Sequence, residues 1–299
     1  MSHHYRKTRL ALAVAAFVGG AGQIPPAQAQ SQPAQAEFRV NTYTANNQVS
    51  PAIAMDAEGD FVVSWQSQFQ DGSGFGIYAQ RYNAAGTPQG SEFRVNTTTV
   101  NSQISPAIAM DADGDFVVSW QSGQIYAQRY NAAGTPQGSE FKVNTTTANS
   151  ESDPAIAMDA DGDFVVSWES SYYEYGSPNG IYAQRYNAAG TPQGSEFKVN
   201  TTTANNQSDP AIAMDADGDF VVSWQSSLTD IYVQRYNAAG TPQGSEFKVN
   251  TTTANNQVSP AIAMDADSDF VVSWASNSQD GSLYGIYAQR YNAAGTPQG

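Results

Sequence analysis

Five tryptophans, Trp65, Trp120, Trp168, Trp224 and Trp274, each close a copy of the segment "DFVVSW", at spacings of 55, 48, 56 and 50 residues. A period near fifty residues constrains the fold more than any other feature of the chain. Such a unit is too small to bury its own apolar faces and must stack on its neighbours. The first unit holds four short strand signals, "EFRVN" (37–41), "AIAMD" (52–56), "DFVVSW" (60–65) and "IYAQRYN" (77–83). They are rich in β-branched and aromatic residues and are separated by Gly, Pro, Asn and Thr. No segment sustains a helical period, so the chain is expected to be all-β. The repeats divide as 37–91, 92–139, 140–195, 196–245 and 246–299.

Between the second and third signals lies an acidic turn, "DAEGD" once, "DADGD" three times and "DADSD" in the last copy, where Ser268 replaces glycine. Glu58-Gly59 suits a two-residue hairpin loop, which would place Ala52, Ala54, Phe61, Val63 and Trp65 on one face and Ile53, Met55 and Val62 on the other. Both faces are apolar, so the sheet must be covered on both sides. Radially stacked four-stranded antiparallel blades satisfy this, and the expected fold is a five-bladed β-propeller. The last repeat lacks its own "EFKVN", so residues 37–41 are expected to close the ring as the outer strand of blade five. A stretch cut from a longer array is the alternative.

The N-terminus has a basic stretch, an apolar run too short to cross a membrane, and A-x-A cleavage sites after Ala29 and Ala36. Residues 1–29 are expected to be a Sec-type signal peptide and 30–36 a short linker, giving export to the cell surface, periplasm or medium. Both histidines, His3 and His4, fall in that segment, and the chain has no cysteine. A mature chain without His or Cys excludes a His-dependent nucleophilic triad, a thiol enzyme and a zinc site built on nitrogen or sulfur. Ten basic residues against 28 acidic ones leave the mature chain at −18. That charge disfavours nucleic acid and membrane insertion. No cofactor is expected.

The recurring "GDFVVSWQS", "GIYAQRY" and "EFxVNT", always in that order, resemble a repeat of large secreted bacterial proteins of the adhesin and repeat-in-toxin surface type. The resemblance spans residues 37–299 and implies a propeller-like extracellular module with no defined activity. More distantly, the plan is similar to lectin propellers and to the Asp-box blades of sialidases. It departs from the Asp-box, because Asp111 and Gly114 are three residues apart rather than two.

Asp111, Asp113 and Asp115 begin like a calcium loop, but Phe116 stands where such a loop needs glycine. These carboxylates are expected to form a turn that divalent cations screen weakly, so no metal ligand is assigned. Arg81, Arg129, Arg185, Arg235 and Arg290 are expected to pair with the acidic turns. The four "Asn-Thr-Thr" sequons at Asn96, Asn144, Asn200 and Asn250 are expected to be turn sequence. The units differ most after each tryptophan, where loops of changing length carry Phe69, Asp71, Phe75, Tyr172, Tyr173, Tyr175, Asp280 and Tyr284. Variable loops on a fixed scaffold are a common place for binding. The expectation is therefore a non-catalytic, multivalent adhesion module, not an enzyme, with a glycan or a surface protein as ligand at that face. The alternatives are a carboxylate-based glycosidase and a purely structural spacer.

Overall fold

The computed structural model describes residues 37–146, 150–171, 179–227 and 229–299. The signal peptide and linker expected over 1–36, and Tyr172, Tyr173 and Tyr175, lie outside the described residues. The chain forms five four-stranded antiparallel sheets, one per repeat, and is a five-bladed β-propeller. Blade 1 runs Gln48–Met55, Phe61–Gln68, Phe75–Tyr82 and Phe93–Arg94. The corresponding inner strands of blades 2 to 5 are Ile104–Met110, Ser150–Met158, Gln207–Met214 and Gln257–Met264. Inner strands of successive blades touch one another, which places them around the axis.

The acidic hairpin is one residue longer than the sequence suggests. Met55 pairs with Phe61, and Asp56 N–H donates to Asp60 O (2.9 Å), leaving a three-residue loop of Ala57, Glu58 and Gly59. Gly59 takes φ 90°, the left-handed residue that ends such a loop. The Asp56 side chain favours this form, because its Oδ1 accepts from the N–H of Glu58 (3.0 Å) and of Asp60 (2.8 Å). A one-residue slip moves alternate side chains across the sheet. The corrected faces are Ala52, Ala54 and Val62 on one side, and Ile53, Met55, Phe61, Val63 and Trp65 on the other.

Blade packing follows from that asymmetry. The small face of blade 1, with Val62, Ile77, Ala79 and Val95, receives Ile108, Phe116, Val118, Trp120 and Tyr130 from the large face of blade 2. Equivalent cores join blades 2 and 3, 3 and 4, and 4 and 5. Trp120, Trp168 and Trp224 are among the largest fully buried side chains, and truncating one to alanine costs about 3–5 kcal/mol. Within each large face Phe and Tyr rings stack, as for Phe116 and Tyr130 at 4.9 Å.

Polar groups fasten the blades at both ends. Arg81 Nη1 donates to the carbonyl oxygen of Ala133 in the next blade (2.7 Å), and Arg129, Arg185 and Arg235 repeat this bond. The arginines thus clasp backbone carbonyls rather than the carboxylates expected from sequence. The sequon asparagines Asn96, Asn144, Asn200 and Asn250 are buried, and each Oδ1 accepts the N–H of the isoleucine that opens the core of strand three.

Closure by residues 37–41 is not seen. Sheet five ends with Pro297–Gln298 rather than with that segment. Val40 O instead accepts from Tyr82 Oη of blade 1 (3.3 Å), as Val95 O accepts from Tyr130 Oη one blade on.

Candidate functional site

Near the variable-loop end, every inner strand breaks register just before its Pro-Ala-Ile-Ala segment; in blade 1 the break lies between Val49 and Ala52. The residue before the proline is left-handed in all five blades: Ser50, Ser105, Asp153, Asp209 and Ser259, with φ between 49° and 54°. Such φ values cost a residue with a β-carbon about 1–2 kcal/mol, and the next-blade contact helps to hold them. Ser105 N–H donates to Gln66 Oε1 (2.9 Å) and Ser259 N–H to Gln225 Oε1 (3.2 Å). The break turns these residues into a central mouth of about 340 Å³, lined by the Ser-Pro or Asp-Pro steps of blades 2 to 5.

Blades 3 and 4 depart from the repeat at this point. Asp153 and Asp209 stand where the other three blades carry serine, and Glu169 stands where blades 1, 2 and 4 carry glutamine. Glu151 replaces the glutamine of the other four inner strands. The substitutions cluster on two adjoining blades, so charge accumulates on one part of a mouth whose other steps are Ser-Pro.

Their electrostatics are set by burial. Glu169 is buried, and desolvation pushes its carboxyl up to about 7. A hydrogen bond from Asn179 opposes that rise, the charges of Asp153 and Asp209 reinforce it, and the Asp209 backbone N–H opposes it. Glu169 therefore holds the blade-4 break as Gln66 holds that of blade 2, but with a titratable group. Asp209 is also raised, first by burial and then by the Asp153 charge. Glu151 is only 1% exposed and raised by burial, with Ser170 and Trp168 pulling the other way. Neither of its oxygens completes a well-formed hydrogen bond.

Two carboxyls at a shared mouth, one of them raised by burial and by its neighbour's charge, can divide acid and base roles between them. Asp153 and Asp209 line the mouth; Glu169 is buried and reaches the Asp209 step through its backbone N–H.

The residues expected from sequence are spread over three blades. Phe69, Asp71 and Phe75 share the blade-1 loop; Asp280 and Tyr284 belong to blade 5. Phe69 and Tyr284 are exposed. Asp71 Oδ1 accepts from Ser73 N–H and Asp280 Oδ1 from Ser282 N–H, both at 3.1 Å, so these two carboxylates shape their own turns. None of these residues lines the axial mouth. Asn179, at the start of the third strand of blade 3, donates from Nδ2 to Glu169. Sequence reasoning missed Asp153, Glu169 and Asp209, and their signal was departure from the repeat rather than membership of it.

No protein-family model and no curated protein sequence matches the chain. Solved structures similar to it include a thermostable family-43 glycoside hydrolase (11% identity, TM-score 0.48, covering 88% of this chain and 96% of that one). The Hadza microbial sialidase Hz136 superposes with TM-score 0.56 at 9% identity, covering 83% of this chain and 57% of that one. The Dos1 propeller gives TM-score 0.49 at 12% identity, covering 87% and 73%. At these identities the likeness is one of fold. Several of these similar structures carry the names of glycosidases. The expectation of a non-catalytic adhesion module that is not an enzyme is corrected on the mouth itself, whose carboxyls fit its carboxylate-based rival better. The physical reason is the broken equivalence of the blades: five like environments would give no division of roles, and the axial mouth is not five like environments.

Proposed function

We propose that the chain is a glycoside hydrolase whose reaction centre is the axial mouth. The observation that carries this reading is the pairing of Asp153 and Asp209 at that mouth, with Glu169 on the Asp209 backbone N–H. Hydrolysis of a glycosidic bond needs one carboxyl to protonate the leaving oxygen and a second to act as base or nucleophile. Asp209, raised by burial and by Asp153, supplies the proton. Asp153 serves as its partner. Glu169 fixes the Asp209 backbone and keeps the pocket's charge dependent on pH.

Charge also limits the substrate. Arg81, Arg129, Arg185 and Arg235 of the third strands are committed to turn carbonyls in the next blade, and Arg94, Lys142, Lys198 and Lys248 lie on outer strands. Among the described residues no cation lines the mouth, so an anionic sugar would meet two carboxyls unopposed. A neutral glycan suits this site.

The test is turnover of neutral chromogenic glycosides and of neutral polysaccharides, followed in Asp209→Asn and Asp153→Asn. Loss of one acid–base group is expected to lower kcat about 10²–10⁴-fold with little change in melting temperature. No turnover across the panel, or turnover that survives in both variants, would overturn the reading.

A further inference from the structure

Every inner strand carries an X-Pro step at its register break, and two of the five steps differ in kind. Blades 1, 2 and 5 read Ser-Pro, whereas blades 3 and 4 read Asp153-Pro154 and Asp209-Pro210, the only Asp-Pro bonds in the sequence. Neither bond is held by the neighbouring strand. In blade 3 the ladder pairs Ser152 with Glu169 and Ala155 with Ser167, so Asp153 and Pro154 fall in the gap. In blade 4 it pairs Ser208 with Gln225 and Ala211 with Ser223, which leaves out Asp209 and Pro210. The backbone there is strained. Asp153 and Asp209 take φ of 49° and 50°, although a residue before proline favours extended backbone and a β-carbon is costly in the left-handed region. Cutting the chain at either step would release that strain, and both steps line the open mouth, where water has access.

An Asp-Pro bond carries its own nucleophile and a good leaving group. The carboxylate can attack the carbonyl carbon of its own residue, closing a five-membered ring, and attack within one residue costs little entropy. Proline makes the bond a tertiary amide, whose nitrogen accepts a proton more readily than a secondary one. Serine in the same place offers no carboxylate, so the Ser-Pro steps are internal controls. An isolated Asp-Pro lacks an acid for the departing nitrogen. Here a second carboxyl shares the mouth. Burial and then the Asp153 charge raise Asp209, so the proton shared by the pair rests on Asp209 and Asp153 is left as the nucleophile.

We infer that the chain cuts itself between Asp153 and Pro154, with Asp153 as nucleophile and Asp209 as acid. A carboxylate oxygen of Asp153 bonds to its own main-chain carbonyl carbon. The bond from that carbon to the Pro154 nitrogen breaks as the nitrogen takes the Asp209 proton. Asp153 is left as a cyclic anhydride and Pro154 as a new amino terminus. Water then opens the anhydride to the Asp153 side chain and a new terminal carboxylate, its two protons going to Asp209 and to the new amine. The sum is hydrolysis of one peptide bond. Cleavage needs no glycoside turnover, so either reading can fail without the other.

The experiment is intact mass of the purified chain held at about pH 5, where the pair shares a proton, beside a sample unfolded in urea at the same pH. The folded chain is expected to part between residues 153 and 154, faster than the unfolded chain does. Mass is the readout because fragments beginning at Pro154 and Pro210 share the opening sequence "PAIAMDADGDF". Asp153→Ser should abolish this cut, and Asp209→Asn should slow it about 10²-fold, the contribution of a placed acid. Circular dichroism checks that both variants fold. A folded wild type that stays intact overturns the inference. So does a cut no faster than in urea, which is the ordinary lability of Asp-Pro. A cut at 153 that survives Asp153→Ser, or that keeps its rate in Asp209→Asn, overturns it as well.

Discussion

Asp111 and Asp153 lie at opposite ends of neighbouring inner strands, each beside a tight backbone turn. Asp111 has a counterpart in every blade, as Asp56, Asp159, Asp215 and Asp265. Its Oδ1 is spent on the N–H groups of Asp113 (3.0 Å) and Asp115 (2.9 Å), and Asp115 in turn holds Ala132 N–H (2.8 Å). Asp153 is matched only by Asp209, and both line an open mouth. Where all five copies agree, the carboxylate builds a turn that every blade needs. Where two copies depart, the carboxylate is free for chemistry.

The sharpest way to break this comparison is pH. Glu169 has a folded pKa of about 7 against the ordinary 4.5, so the folded state binds its proton more tightly than the unfolded state. The resulting stability is full below about 4.5 and is lost as pH rises through about 7. At 1.36 kcal/mol per unit the loss amounts to roughly 3 kcal/mol. Glu151 and Asp209 are raised in the same direction by burial. Glu169→Gln recreates the bond that Gln66 makes; it should stabilise the chain at pH 8, change little at pH 4.5, and flatten the curve measured by urea unfolding.

Removing a hairpin carboxylate should weaken the fold instead. Asp111→Ala removes the acceptor of two backbone N–H bonds and should destabilise by about 1–3 kcal/mol. Its effect on turnover should be no greater than the unfolded fraction explains, as thermal melts beside an activity assay would show.

Replacing Asp153 and Asp209 together by serine gives blades 3 and 4 the residue of the other three. Removing two neighbouring like charges should raise stability by about 1 kcal/mol, seen as roughly 2–4 °C in the melting temperature, while abolishing turnover. A fall in melting temperature would mean that these carboxylates are structural too.

The smallest effect belongs to Ser268. From sequence, serine in place of a turn glycine carries strain that Ser268→Gly would relieve. The structure confirms the left-handed backbone, at φ 63°, and adds that Ser268 Oγ donates to Asp215 Oδ2 of the preceding blade. The two contributions oppose each other, so Ser268→Gly should be near neutral. Ser268→Ala keeps the strain and loses the bond, and should cost about 1 kcal/mol, measurable by calorimetry.

Most of the architecture was legible because strand signals such as "DFVVSW" recur five times and correct one another. Hairpin register was not, because Glu58-Gly59 suits a two-residue loop unless the Asp56 side chain is seen capping a third residue. Both hairpin faces look apolar in either register, so the slip left no inconsistency in the sequence. The axial site escaped for a different reason. Asp153 and Glu169 are single-letter departures inside well-matched segments, whereas "SSYYEYGSPN" and "QFQDGSGFG" differ visibly in length and draw attention outward to the loops. Only the register break, which points residue 153 at the axis, shows that the small change is the consequential one.

The buried sequon asparagines constrain how this chain can be produced. In a eukaryotic secretory pathway "Asn-Thr-Thr" is an acceptor for N-linked glycan, and transfer takes place on the nascent chain before its strands pair. A glycan on Asn96, Asn144, Asn200 or Asn250 would be carried on the side-chain Nδ2, which in the folded blade donates to the carbonyl oxygen of Thr98, Thr146, Thr202 or Thr252, and would stop that blade from completing. Secretion from such a host should therefore yield retained, degraded product, with rescue by Thr98→Ala, Thr146→Ala, Thr202→Ala and Thr252→Ala, which remove the acceptor signal while leaving each asparagine to make its bond.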